Sequence, residues 1–295
     1  MKILNFGSLN IDKVYHVPHF VRPGETISST DCRTFPGGKG LNQTIAAARA
    51  GHPVFHAGSI GAEGRFLKEL LEESGADTRF VREKDTVTGH ALIQVSGDGE
   101  NCIILFGGSN QENDREYIDE VLGEFGQGDI LLLQNEISNL DYLLKRGREK
   151  GMSILLNPSP MDEAMKKADL SAVTWLMLNE TEGCGLTGCT EPDRITAALL
   201  TRHPHMKVIL TLGSEGALYA DAGTVCRQPC FPVKAVDTTA AGDTFTGYFL
   251  AGAVEGMEPA EALRLAAAAS SITVSRPGAA VSIPLRAEVE EAMRV

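Results

Sequence analysis

The sequence predicts a doubly wound α/β domain: a mostly parallel sheet flanked by helices, with a small β-sheet lid. Three observations predict it. After Gly107, short apolar runs recur with helical stretches between most of them, the alternation that builds right-handed βαβ units. Within these runs apolar residues follow one another directly, as in strands buried on both faces. Two earlier segments, about 11–36 and 87–107, are short, mixed in polarity and read as strands of a separate sheet.

Taken in order, Lys2 to Leu9 reads as a buried strand. Asn10 to Pro36 breaks that pattern with Pro18, Pro23 and Pro36, and alternates polar residues in its later half. Helical patterns follow at Leu41–Ala50 and Arg65–Ser74. In His90–Ser96 the residues Ala91, Ile93 and Val95 share one face of a strand. Gly97-Asp98-Gly99-Glu100 then turns the chain into Cys102–Phe106, a hairpin signature. The later strand runs are Ile130–Gln134, Ile154–Asn157, Trp175–Leu178 and Val208–Leu212. Ala260–Ser275 is an Ala-rich helix pattern, closed by Arg276-Pro277-Gly278. With no repeat and no low-complexity linker, the 295 residues read as one domain spanning 1–295. Ligands of open α/β sheets gather at the carboxyl ends of the strands, where a projecting sheet would act as a lid. The alternative is that the two early segments extend the main sheet.

Composition narrows the function classes. A net charge of −12 argues against nucleic acid as a partner, while leaving room for a small phosphate ligand held by local amides. No apolar run approaches a membrane span, and the chain opens directly into a strand pattern, so a cytoplasmic protein is expected. Cys32, Cys102, Cys184, Cys189, Cys226 and Cys230 lack paired CxxC spacing and a zinc pattern, and read as free thiols.

The segment richest in chemistry is Asp237-Thr238-Thr239-Ala240-Ala241-Gly242-Asp243-Thr244-Phe245. Its small residues leave backbone N–H groups uncovered just before a helix pattern in which Phe245, Phe249 and Ala253 share a face. A helix N-terminus of this kind is an anion site. An acid beside an anion site suits a base that takes a proton from a hydroxyl attacking phosphorus; a plain Asp N-cap explains the same residue. Asn10 and Asp12, two apart at the end of the first strand, project to one side and suit hydroxyl binding or an Asx turn. Pro36-Gly37-Gly38-Lys39-Gly40-Leu41-Asn42-Gln43 looks like a phosphate loop, but the Walker spacing is absent and Gly40 stands where Ser or Thr is required. A polyol fits those donors better than a triphosphate. Asn179 and Glu182 at a strand end suit water ordered around a hydrated Mg²⁺, or a helix capping box. Thr211-Leu212-Gly213-Ser214-Glu215-Gly216 offers backbone to a nucleotide, or is a hairpin turn. Gly183-Cys184-Gly185-Leu186-Thr187-Gly188 matches GxGxxG, but Thr190-Glu191-Pro192 interrupts any apolar helix after it, and no dinucleotide site is expected.

These segments together resemble the ribokinase-like (PfkB-type) carbohydrate kinases from end to end. Asp237–Phe245 is similar to that family's C-terminal signature and Gly37–Gln43 to its N-terminal one, with Asn10-Ile11-Asp12 and Arg276-Pro277-Gly278-Ala279 plus Ser282 in support. The resemblance implies ATP-dependent phosphorylation of the 5-hydroxyl of D-ribose, with Asp243 as base and Ala240, Ala241 and Gly242 as the anion hole. It implies sugar contacts from Asn10, Asp12, Gly38, Lys39, Gly40, Asn42 and Glu136. It implies ATP contacts from Asn179, Thr211, Gly213, Ser214, Gly216 and Gly242, with Glu182 ordering Mg²⁺. Asp237, Thr239, Thr273, Arg276, Gly278 and Ser282 match a monovalent-cation site, usually K⁺, with Arg276 and Gly278 acting through carbonyls. A homodimer through the β lid is implied as well. Two positions depart from the pattern: Asn135 stands where relatives carry an apolar residue before Glu136, and the helix near Ala266 and Ala267 has no polar residue to read a base. A different acceptor (deoxyribose, another sugar, or a nucleoside stacked on Phe35) and a non-catalytic sugar sensor are the alternative readings.

Overall fold

The computed structural model describes residues 1–294. The chain enters the body as β1 (Ile3–Phe6), leaves it as β2 (Asn10–His16) and β3 (Asp31–Gly37), and returns as α1 (Lys39–Arg49). It continues through β4 (Val54–Ile60), α2 (Arg65–Glu73) and β5 (Asp77–Glu83), then leaves again as β6 (Gly89–Val95) and β7 (Asn101–Phe106). Next come α3 (Arg115–Gly123), β8 (Ile130–Gln134), α4 (Leu140–Glu149), β9 (Ser153–Asn157), β10 (Trp175–Asn179), α5 (Glu180–Thr187), α6 (Pro192–Arg202) and β11 (Lys207–Thr211). A hairpin of β12 (Ala217–Ala220) and β13 (Val225–Gln228) precedes α7 (Ala241–Val254), α8 (Pro259–Val274) and α9 (Arg286–Ala292).

Nine strands form one sheet in the order β13-β12-β11-β10-β9-β8-β1-β4-β5. It is parallel from β11 to β5, and only the β12 and β13 edge is antiparallel. Side chains alternate between two cores: on β10, Met177 faces one and Leu176 and Leu178 face the other. The first core takes in Leu41 and Ile45 of α1, Phe245 and Phe249 of α7, and Leu263 of α8; the second takes in Tyr117 of α3, Leu143 of α4 and Ile195 of α6. Helices therefore cover both faces, as expected of continuously apolar strands. The chain winds from β1 toward β4 on one side and from β8 toward β11 on the other. The winding reverses between β1 and β8, and folds of this kind bind ligands at the carboxyl ends of the strands near such a switch.

The remaining strands form a separate sheet in the order β3-β2-β6-β7. The two early segments do not extend the main sheet, because their registers pair only with each other: β2 with β3 antiparallel and with β6 parallel, and β6 with β7 antiparallel. Four strands that the apolar pattern does not single out are present, namely β4, β5, β12 and β13. The GxGxxG match lies within α5 and its left-handed C-cap Gly188, with no strand leading into its first glycine, so it forms no dinucleotide loop. Thr211–Gly216 joins two antiparallel strands as a hairpin turn. All six cysteines are free, and no helix among the described residues is long and apolar enough to cross a membrane.

Candidate active site

The site lies at the carboxyl ends of β1, β8, β9, β10 and β11, where each strand runs out into polar residues. Gln134 pairs in register with Asn157, and Asn179 with Thr211, so a row of amides and a hydroxyl crosses the sheet end. A cavity of about 250 Å³ opens there, lined by Lys39, Asn179, Glu182, Thr211 and the stretch Ala240–Asp243.

The N-terminus of α7 forms one wall. Ala240, its N-cap, is held at φ 60°, ψ 9°, a left-handed conformation that costs a residue with a Cβ on the order of 1 kcal/mol. The turn bends the chain so that the helix starts facing the cavity. The Ala241 N–H is taken up by Thr238 O at 3.2 Å, and the Thr244 N–H by Ala240 O at 2.8 Å. Among the described residues nothing accepts from the N–H groups of Gly242 and Asp243. A Cβ built on Gly242 would meet no atom within 4 Å, so packing does not require glycine there and the N–H stays accessible.

Asp243 is buried, and both carboxylate oxygens are held. Asn42 Nδ2 donates to Oδ2 at 3.0 Å and Gln43 Nε2 to Oδ1 at 2.9 Å, both from the N-terminal half of α1. The α1 N-terminus is built around Glu136, whose Oε2 accepts from Lys39 N at 3.0 Å and from Ser8 Oγ. Gly38 caps this helix at φ 98°, a conformation that glycine adopts at no steric cost. The next turn closes onto the β1 loop, with Gly40 N donating to Ser8 Oγ at 3.1 Å and Leu41 N to Ser8 O at 2.9 Å.

Asn10 and Asp12 open β2, the strand that leaves the body here. Asn10 Oδ1 accepts from Asn110 Nδ2 at 2.7 Å. Asp12 lies in register between Phe35 and Ala91. Burial and then the nearby Glu136 push the Asp12 carboxyl up to about 6. Burial raises Glu136 as well, against the opposing pull of Lys39 and Ser8. Burial alone would lower the Lys39 ammonium, but the carboxylates of Asp243, Glu136 and Glu182 outweigh it and the net shift is upward. A lysine ringed by three carboxylates is a fixed positive charge beside the cavity.

On the opposite wall, Asn179 and Glu182 form a reciprocal capping box at the start of α5: Glu182 N donates to Asn179 Oδ1 at 2.9 Å and Asn179 N to Glu182 Oε2 at 3.0 Å. The capping-box reading holds, and the two residues that the box locks also line the cavity. Thr211 lines it too. Gly213 and Ser214 lie on the exposed hairpin turn beyond it, and Gly216 closes that turn at φ 103°.

Behind α7, Asp237 ties two segments together. Its Oδ1 accepts from Thr239 N and its Oδ2 from Gly278 N, each at 2.9 Å. Burial raises this carboxyl, but the Thr239 hydroxyl and the two amides outweigh it and hold it low. Thr273 Oγ1 is bonded to Thr244 Oγ1 at 3.0 Å, Ser282 Oγ to Ala279 O at 2.7 Å, and the Arg276 guanidinium to Glu288. Of the six residues matched to a cation site, Asp237, Thr239 and Gly278 meet directly; the hydroxyls of Thr273 and Ser282 are turned to other partners. Gln43, Asn110, Gln134 and Asn157 join this network through hydrogen bonds to residues 91 to 200 positions away, and no local pattern gives any of them a role.

The chain matches the pfkB family carbohydrate kinases over residues 1–286. It is 35% identical to the ribokinase of Haemophilus influenzae over 97% of its own length and 96% of that protein's. It is 34% identical to the ribokinase of Bacillus subtilis, with 97% of each chain covered. The structure of Arabidopsis thaliana ribokinase complexed with ribose and ATP superposes with a TM-score of 0.87 at 32% identity, covering 99% of this chain and 98% of that one. With a family match across nearly its whole length, this chain belongs to the PfkB family of carbohydrate kinases.

Proposed function

We propose that this kinase transfers the γ-phosphoryl group of ATP to the 5-hydroxyl of D-ribose, giving D-ribose 5-phosphate and ADP, with Asp243 as the base. One observation carries the reading: a carboxylate held on both oxygens by amides sits at the uncovered N-terminus of α7, within one cavity with Asn179, Glu182 and Thr211. The resemblance to ribokinases supplies the acceptor and the donor.

The sugar lies on the β2 side, with Asn10, Asp12, Gly38, Lys39, Gly40, Asn42 and Glu136 around its hydroxyls. Asn42 Oδ1 is buried without a partner among the described residues, and a sugar O–H satisfies it. Asp243 takes the proton of the 5-hydroxyl as that oxygen bonds to the γ-phosphorus. The bond from phosphorus to the β–γ bridging oxygen breaks, and ADP leaves with the electron pair. Ala240, Ala241 and Gly242 line the phosphoryl position; the free N–H of Gly242 and the charge of Lys39 oppose the negative charge that builds there. ATP lies along Asn179, Thr211, Gly213, Ser214 and Gly216.

Among the described residues no three His, Cys, Asp or Glu side chains are arranged to hold a metal ion. Mg²⁺ would come with the phosphates of ATP and neutralise their charge, and Glu182 is the residue that would order its waters. Asp237 forms no ion pair among the described residues, and with Thr239 and the Gly278 carbonyl it suits a K⁺ ion that stiffens the loop before α7. The small sheet serves as the lid and pairs with that of a second copy, since the edge strand β7 exposes every one of its residues. Six free cysteines suit the cytoplasm.

Replacing Asp243 with Asn tests the assignment. Turnover falls about 10²–10⁴-fold while ATP binding and the melting temperature hold. Near-normal turnover overturns it. An ADP-release panel of ribose, deoxyribose, other sugars and nucleosides reads the acceptor, and a strong preference for a nucleoside overturns ribose.

A further inference from the structure

We propose that Gln43 is a positioning residue for phosphoryl transfer: its side-chain amide orients the Asp243 carboxylate and keeps an N–H, never a carbonyl, against it. The inference rests on the reading of Asp243 as the base.

The direction of the Gln43 amide is dictated from two sides. Asn157 Nδ2 donates to Met177 O at 2.9 Å, a main-chain acceptor. Its Oδ1 is therefore the atom turned to Gln43, and it takes a Gln43 N–H at 3.2 Å. On the other side, Asn5 Nδ2 donates to Gly40 O at 2.9 Å, which turns Asn5 Oδ1 to Gln134 Nε2 at 3.1 Å. The second N–H of Gln134 then reaches Gln43 Oε1 at 2.7 Å. Both constraints agree, and Gln43 is left with its remaining N–H on Asp243 Oδ1 at 2.9 Å. Flipping the amide would set its carbonyl against a carboxylate and its NH₂ against the Gln134 NH₂. Each mismatch would leave buried polar groups unpaired. With Asn42 on Oδ2, the plane of the carboxylate is fixed, and each oxygen keeps a lone pair for the hydroxyl proton.

The chain of amides carries no charge of its own. Beyond Asn5 it passes through Thr44 at 2.8 Å to His56 Nδ1 at 2.7 Å, and burial pushes that imidazole down to about 3, so it ends on a neutral ring. The charged groups acting on Asp243 are Lys39 of α1 and Glu136 after β8, with Glu182 of α5 acting on the same lysine. Asp237 lies in the segment leading into α7. α8, packed against α7, brings the hydroxyls of Ser270 and Thr273 to that end.

The test is the single-turnover rate of sugar phosphorylation by Gln43→Met and Gln43→Glu across about pH 5 to 9, beside Asp243→Asn. Losing the donor lowers the rate of Gln43→Met about 10-fold or more, leaves the KM for ATP within about twofold, and moves the acid limb of the rate profile to higher pH. Gln43→Glu sets a second carboxylate against Asp243 and moves that limb further. A merely structural role lowers the rate by one factor at every pH and leaves the limb in place. An unmoved limb in both variants, whatever the rate, overturns the proposal. If Gln43→Met does not fold, the near-isosteric Gln43→Glu decides alone, and again an unmoved limb overturns the proposal. Asp243→Asn separates the two readings: turnover retained there removes the base itself, whereas turnover lost there with normal Gln43 variants removes only the role of Gln43.

Discussion

β7 and β8 are near twins as sequence and opposites in the fold. Cys102-Ile103-Ile104-Leu105-Phe106 and Ile130-Leu131-Leu132-Leu133 are both short, continuous apolar runs. Every residue of β8 is buried, whereas Ile104 is 59% and Phe106 51% exposed. The difference is position. β8 has a parallel neighbour on each side and a helix layer on each face, while β7 is the edge of a four-stranded sheet and pairs only with β6. Apolarity makes a strand, but the layers around it decide whether the apolar surface is spent inside the protomer. The nine-stranded sheet thus holds the site's geometry, and the small sheet has the sparse packing of a part that moves or finds a partner.

The sharpest contrast is kinetic. Asp243 is anchored to the large sheet's helices, so Asp243→Asn should remove the most, about 10²–10⁴-fold in kcat, with unchanged thermal unfolding. Next comes packing. Leu132→Ala in β8 opens a cavity in the first core and should cost about 2–5 kcal/mol, seen as a drop in Tm on the order of 10 °C. A drop of only a degree or two would mean that the central sheet is not a rigid floor for the site.

At the junction of the two sheets, Asp12 lets stability and the proposed sugar binding be tested together. Burial raises its carboxyl to about 6, well above an unfolded carboxyl, so the native state holds the proton more tightly than the unfolded chain does. Stability from this group is present below the unfolded pKa and is lost as pH rises through about 6. Asp12→Asn should therefore raise Tm by a few °C at neutral pH and flatten that dependence, while the sugar KM rises about 10–100-fold for want of a charged acceptor. Calorimetry across pH with matched initial-rate assays checks both; a lower Tm at neutral pH would refute the burial argument.

The same contrast explains what the sequence discloses. β8, β9, β10 and β11 are legible because their apolar runs are unbroken. β4 is not, because His56 and Ser59 are buried within it for the sake of hydrogen bonds to Thr44 and Asn113. β5 is an edge strand that carries Asp77, Arg79, Arg82 and Glu83, so it lacks an apolar signature. In the candidate site, residues that fall in short motifs stand out: Gly38, Lys39 and Asn42 in one run, Ala240 to Asp243 in another. Gln43 sits inside a legible motif, yet its role depends on Gln134 and Asn157, 91 and 114 residues away. Asn110 orients Asn10 across 100 residues. Such pairings arise from the way the sheets are wound, and no local pattern records them.

The smallest expected effect bears most directly on β7. Ile104→Lys places a charge on a face that water already reaches within the protomer, so unfolding measured at high dilution should shift by no more than about 0.5 kcal/mol. If the exposed face is covered by a second copy, the same change puts an unpaired charge into an apolar contact and should weaken association. Light scattering coupled to size exclusion would then find the parent dimeric and the variant monomeric at equal concentration. A parent that is monomeric at all concentrations would remove the dimer and leave β7 as the free edge of a lid. A large loss of stability at high dilution would instead mean that the strand is covered within its own protomer, and the contrast with β8 would fail.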